Sequence, residues 1–217
     1  MKKVLVTGGT GLVGKAIEEE NNVNYEFKFL SSKDCNLTKH EEVKKLFMDY
    51  RPDIVIHLAA DVGGLYKNMS QKSKIFNNNT LINFNVLNCC YEFDVKKCIS
   101  CLSTCVFPDN VSYPIDETML HDGPPHDSNY TYAYTKRILE VQSRAYYEET
   151  NNKYISIIPT NIYGKYDNFS LEEGHVIPSL IHKCFIAKKE NKPFVVRGSG
   201  KALRQFIHSS DLAKLII

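Results

Sequence analysis

A doubly wound parallel α/β sheet with helices on both faces is the fold this sequence predicts, and three observations carry it. Strand-like runs alternate with helix-like stretches along the first 160 residues, the order that places parallel strands under right-handed crossovers. Glycines at 8, 11 and 14 stand between the first strand and the first helix, the spacing and context of a dinucleotide-binding turn. Strand ends such as Leu58-Ala59-Ala60 and Ser103 carry small or hydroxyl-bearing residues, as suits a ligand cleft along the carboxyl edge of the sheet.

Composition narrows the classes. A chain of 217 residues that is 43% hydrophobic and 24% charged, with a net charge of +2, has the make-up of a globular protein and no nucleic-acid or membrane signature. No apolar run has membrane-spanning length. Seven cysteines, an odd number at irregular spacing, fit a reducing compartment and predict a cytoplasmic protein. Cys98 and Cys101 form a C-x-x-C, yet no second half completes four ligands, so no metal is expected.

In chain order, Lys3 to Thr7 reads as a buried strand, and Gly8, Thr10, Gly11, Leu12, Val13 and Gly14 form the phosphate turn and open a helix to about Glu20. The strand Tyr25 to Leu30 ends in Ser31-Ser32-Lys33 where an acidic residue would hold an NAD ribose. Two hydroxyls and a cation suit a 2′-phosphate, which predicts NADP(H). Asp34 and Leu37 follow, placed to cover the adenine. Thr38-Lys39-His40-Glu41 reads as a capping box for a helix to about Tyr50. The strand Asp53 to Leu58 carries His57, read as packed, and ends in Leu58, Ala59 and Ala60, which leave room for a cofactor. A long helix spans about Lys72 to Glu92, and the strand from Val95 to Leu102 delivers Ser103 and Cys105 to a point where Pro108 stops regular structure.

Taken alone, Ser103 and Cys105 read as packing at a buried strand end. An ordered loop over 108–128 then leads into a helix from Tyr130 to about Glu149, in which Tyr132 and Lys136 lie four apart on one face. A nearby ammonium is expected to lower the tyrosine pKa and ready it for proton exchange with a carbonyl. Tyr130 and Tyr134 have no lysine at that spacing. A strand at Tyr154 to Pro159, a polar loop delivering His175, a basic-sided helix to about Lys189, a short strand near Arg204 to His208 and a helix capped by Ser209 or Ser210 complete the chain. That last helix has no C-cap before Ile217, and further chain is expected beyond it. The expected division is a nucleotide-binding Rossmann-type domain over 1–160 and part of a smaller substrate lobe over 161–217.

The glycine triplet, His57-Leu58-Ala59-Ala60 and Tyr132-x-x-x-Lys136 resemble the extended short-chain dehydrogenase/reductases. Within that family the likeness is to enzymes of GDP-sugars, carried by Val62-Gly63-Gly64-Leu65, Cys101 to Asp109, Tyr113 to Met119 and Pro124-Pro125-His126. It continues through Pro159-Thr160-Asn161, Asp167-Asn168-Phe169 and Gly174 to Pro178. The resemblance implies epimerisation at C3 and C5 of a GDP-4-keto-6-deoxy-mannose, then NADPH-dependent reduction of the ketone. Ser103 and Tyr132 would hold the keto oxygen, Lys136 the nicotinamide ribose, and Cys105 and His175 would be the proton-transfer pair. Pro159, Asn161 and His175 would border the cofactor. Gly64, Ser103, Cys105, Asn161, Lys183 and Arg204 would contact the sugar nucleotide, and the expected assembly is a homodimer. Other nucleotide-sugar epimerases or reductases, and a non-catalytic NADP(H)-binding module, are the competing expectations.

Overall fold

The computed structural model describes residues 1–20, 23–63, 70–201 and 203–217. Five strands, β1 (Lys2–Thr7), β2 (Tyr25–Phe29), β3 (Ile54–His57), β4 (Lys97–Cys101) and β5 (Lys153–Ile157), form one parallel sheet in the order β2-β1-β3-β4-β5. Between them run the helices α1 (Leu12–Glu20), α2 (His40–Tyr50), α3 (Lys72–Glu92) and α4 (Tyr130–Thr150). The order reverses direction at β1, so the carboxyl ends of β1 and β3 flank the topological switch point, where a crevice opens.

Alternation along the strands divides the core in two. Leu5, Val55 and Cys98 face one layer, where they share a buried cluster with Val43 and Phe47 of α2, Val86 and Leu87 of α3, and Leu139 of α4. Val4, Val6, Ile56 and Ile99 face the other, packing with Val13, Ala16 and Ile17 of α1. Strands buried on both faces read as continuous apolar runs, which is why these segments stood out in the sequence. Each fully buried aliphatic side chain contributes roughly 1.5–3 kcal/mol.

Beyond β5, the strand β6 (Asn161–Tyr163) pairs in parallel with β7 (Phe206–His208) in a separate two-stranded sheet, and α5 (Val176–Lys189) and α6 (Ser209–Ile216) lie between and after them. The chain then returns to the first layer. Leu212, Ala213 and Ile216 of α6 are buried in the same cluster as α1 and the sheet.

Two caps differ from expectation. The residue before α2 is Lys39, without a side-chain cap, because the Thr38 hydroxyl donates to Asn36 Oδ1 at 2.8 Å and Glu42, one place later than the expected Glu41, accepts from Asn36 N at 2.9 Å. At α6 the cap is His208 rather than Ser209 or Ser210, its ring nitrogen accepting from Ser210 N at 3.4 Å. A ring nitrogen can serve as the acceptor an N-terminus needs.

Candidate active site

A cleft of about 760 Å³ runs along the carboxyl edge of the sheet, within the range of small-molecule sites. Its nucleotide end is built on the turn after β1. Gly8 has φ +69, and a Cβ there would lie 2.8 Å from the Ala59 amide nitrogen after β3. A Cβ on Gly14 would lie 2.5 Å from the Gly9 carbonyl, so α1 sits directly against the turn. That cradle, closed to side chains and lined by Gly8, Thr10, Gly11, Leu12, Val13 and Gly14, presents backbone amides and a helix N-terminus to a pyrophosphate. Ser31, Ser32 and Leu37 line the next stretch, then Leu58, Ala59 and Ala60, and on the far wall Pro159, Asn161 and His175. The residues therefore fit a dinucleotide.

Two of the expected cofactor residues stand apart from the wall. Lys33 is exposed and its amide donates to Ser31 Oγ at 3.2 Å. The Asp34 carboxylate takes the Ser31 amide and hydroxyl at 2.7 and 2.6 Å, and the Ser31 hydroxyl bond is the main cause that holds it below its ordinary pKa. It closes the turn after β2.

At the chemical end, Ser103, Tyr132 and Lys136 line the same cleft. The buried Lys136 ammonium donates to the Cys101 carbonyl at 2.6 Å and lies 5.8 Å from the Tyr132 ring centre. Its neighbour Arg137 donates from Nε to the Val106 carbonyl at 2.7 Å. Two consecutive residues of α4 thus grip the segment carrying Ser103 and Cys105 at both of its ends. Cys105 sits in a single 3-10 turn, Thr104–Val106, beside Ser103 and off the wall of the cleft.

The electrostatics reverse one expectation. Burial pushes the Tyr132 phenol well above its ordinary value, and Cys105 and Cys101 add to the effect. The Lys136 ammonium donates to the Cys101 carbonyl, and desolvation governs the phenol. Burial lowers Lys136 in turn, with Cys101 and Cys105 pulling it back. Burial also raises the Cys105 thiol, partly offset by the Ser103 hydroxyl and Lys136. Tyr132 and Cys105 therefore rest protonated at neutral pH.

Behind the wall runs a relay of buried polar groups. Thr7 Oγ1 lies 2.7 Å from His57 Nδ1, His57 Nε2 lies 3.1 Å from Asn83 Oδ1, and Asn83 Nδ2 donates to the Thr135 carbonyl at 3.2 Å. With Oδ1 of Asn83 facing Nε2, the proton sits on Nε2 and Nδ1 accepts from Thr7. Burial, reinforced by Lys136, lowers His57 to about 3, so it is neutral. His57 is thus the packed histidine expected, and Asn83 is a residue that sequence reading passed over. Its signal was available: Asn79 and Asn83 stand four apart on α3 and both are buried. Asn79 holds the segment after β3, donating to the Asp61 carbonyl at 2.9 Å.

Of the remaining expected residues, Lys183 and Arg204 are exposed and outside the cleft, Arg204 donating to the neighbouring Leu203 carbonyl at 2.7 Å. Gly64 lies outside the described residues. Asn161 donates to the Gln205 carbonyl at 2.9 Å, tying β6 to the chain before β7. Thr104, Asn129, Tyr163 and Phe206 line the cleft and were not anticipated. Among the described residues no group of three or more His, Cys, Asp or Glu is placed to hold a metal ion.

Known proteins match this chain along its length. The model of the NAD dependent epimerase/dehydratase family matches residues 4–217. A GDP-L-fucose synthase of Dictyostelium discoideum is 55% identical over 220 residues, covering 100% of this chain and 69% of that protein. A probable GDP-L-fucose synthase of Drosophila melanogaster is 50% identical, covering 100% and 71%. The crystal structure of a GDP-L-fucose synthetase from Naegleria fowleri bound to NADP superposes with a TM-score of 0.92 at 52% identity, covering 99% of this chain and 67% of that one.

Proposed function

The chain belongs to the NAD dependent epimerase/dehydratase family, and on that premise we propose that it converts GDP-4-keto-6-deoxy-D-mannose to GDP-L-fucose, inverting C3 and C5 and then reducing the 4-keto group with NADPH. The observation that carries the reading is the agreement of the whole chain with GDP-L-fucose synthases at 50–55% identity, joined to a cleft holding Ser103, Tyr132, Lys136 and His175.

The 4-ketone acidifies the C–H bonds on either side of it. At each carbon a base takes the proton, the electron pair passes to the carbonyl oxygen as an enolate, and an acid returns a proton to the opposite face. Cys105 and His175 are the two groups for this exchange. The Ser103 and Tyr132 hydroxyls hold the keto oxygen through both inversions. NADPH supplies the hydride that reduces C4. Tyr132 gives its phenolic proton to the oxygen, a role that suits its resting state as a phenol. Lys136, whose ammonium donates to the Cys101 carbonyl, would bind the nicotinamide ribose.

Residues 1–160 bind the nucleotide and 161–208 form the smaller lobe, while α6 is grouped with the sheet because Leu212, Ala213 and Ile216 share its core. Two copies pair through the exposed apolar faces of α3 and α4, where Leu81, Phe84, Ile138 and Val141 are each about half exposed. The compartment is the cytoplasm, consistent with seven free cysteines.

The test is to incubate the protein with GDP-4-keto-6-deoxy-mannose and NADPH in deuterated water. Consumption of NADPH with deuterium at C3 and C5 is expected. NADPH oxidation without ring exchange would leave a simple reductase, and NADPH binding without turnover would leave a binding module.

A further inference from the structure

The side chain of Asp167 is 4% exposed, on the loop between β6 and α5, while the side chain of His175 on the cleft wall is 63% exposed. Asp167 Oδ1 accepts from the Asn168 amide at 2.8 Å and faces His175 Nδ1 at 3.4 Å. Its Oδ2 is buried and, among the described residues, has no hydrogen-bond partner. The loop holds this arrangement firmly. The Asp167 amide donates to the Gly164 carbonyl at 3.2 Å, the Ser170 amide to Asn168 Oδ1 at 2.9 Å, and Ser179 Oγ of α5 to the Ser170 carbonyl at 2.9 Å. His175 itself is fixed at the mouth of α5, its carbonyl accepting the Ser179 amide at 3.0 Å.

A buried carboxylate costs several kcal/mol unless a positive charge or several donors answer it. One backbone N–H does not, and that contact alone would be met by a neutral asparagine. The side chain that faces the carboxylate is the His175 imidazole, through Nδ1. His175 has the complementary difficulty: an exposed imidazole rotates and populates both tautomers, whereas proton transfer to a fixed carbon needs one nitrogen free and aimed. A carboxylate on Nδ1 removes that freedom and leaves Nε2 for the ligand.

We propose that Asp167 is the positioning residue of His175, holding its Nδ1–H so that Nε2 serves one face of the sugar ring in the proton transfer while Cys105 serves the opposite face. The inference rests on the epimerase/reductase reading, and it adds a third member to the Cys105 and His175 pair. The same loop that presents His175 to the cleft carries the carboxylate, so the two move together.

The experiment compares the full chain with Asp167→Asn, which preserves shape and the Asn168 contact. Deuterium incorporation at C3 and C5 is expected to fall on the order of 10²–10⁴-fold in turnover, while KM for the sugar nucleotide and the affinity for NADPH stay within about threefold. Nitrogen-15 spectra of the histidine rings are expected to show His175 with Nδ1 protonated in the unsubstituted protein and a mixture of tautomers in Asp167→Asn. Incorporation within threefold of the unsubstituted protein in a variant that still binds NADPH would overturn the proposal. So would an Nε2–H tautomer for His175 in the unsubstituted protein. If the unsubstituted protein binds NADPH and shows no exchange, the epimerase reading fails while the tautomer spectrum still decides the role of Asp167. That spectrum also decides if Asp167→Asn does not fold.

Discussion

Tyr132 and Cys105 share a condition: burial keeps both protonated. For Tyr132 that is the form a ketone reduction consumes, so Tyr132→Phe is expected to lower NADPH oxidation by about 10²–10⁴-fold while deuterium exchange at C3 and C5 continues. Measuring both rates on one preparation decides it, and loss of both would remove the separate role. For Cys105→Ser the expected pattern is the reverse in its first half: exchange falls on the order of 10²-fold or more with NADPH affinity unchanged. His57 gives a prediction about pH. Its folded pKa, about 3, lies below the ordinary 6.5, so between those values the unfolded chain binds the extra proton and stability drops as pH falls. The slope reaches up to about 1.4 kcal/mol per pH unit. Urea unfolding between pH 7 and pH 5 should show a shallower dependence in His57→Gln than in the unsubstituted protein, and equal slopes would refute the burial argument.

At the scale of elements, α4 does more than display a tyrosine and a lysine. Lys136 and Arg137 hold the carbonyls of Cys101 and Val106, and Arg137→Met is expected to loosen the turn bearing Cys105. The measurable outcome is slower C–H exchange with little change in NADPH affinity, and an unchanged rate would show that the turn stands without the guanidinium. What the sequence disclosed follows from this geometry. Tyr132 and Lys136 were legible because four residues in a helix bring side chains together without any other element, and Gly8 was legible because a tight turn is local. The grip on Cys101 and the Asn83 relay were hidden, since they join residues 26 to 52 positions apart, and so was the burial that raises the Tyr132 phenol. The caps at Lys39 and His208 escaped for a smaller reason: Thr38 and Ser210 had competing partners two residues away.

For the whole molecule, alternation of strand and helix was enough to predict a parallel doubly wound sheet. It was not enough to predict that α6 rejoins the sheet or that β6 and β7 stand apart from it, because both depend on which distant surface remains uncovered. The exposed row on α3 and α4 belongs to this scale. Replacing Leu81 by Glu and Ile138 by Lys is expected to convert a dimer to a monomer in sedimentation velocity, with near-native NADPH affinity. A monomer before substitution would refute the pairing surface.

The double grip by α4 also sets where the chain can change length. The loop over 108–128 is anchored at Leu120, buried in the core, and at His121, which faces Glu140 of α4 at 2.9 Å, and insertions in its exposed stretches away from those anchors leave the grip untouched. Between Cys101 and Val106 the case differs, because adjacent residues of one rigid helix hold both ends. One added residue would shift the second carbonyl out of reach or turn the hydroxyl and thiol away. Descendants of this protein can diversify by lengthening the outer loop, while the segment from 101 to 106 keeps a fixed count.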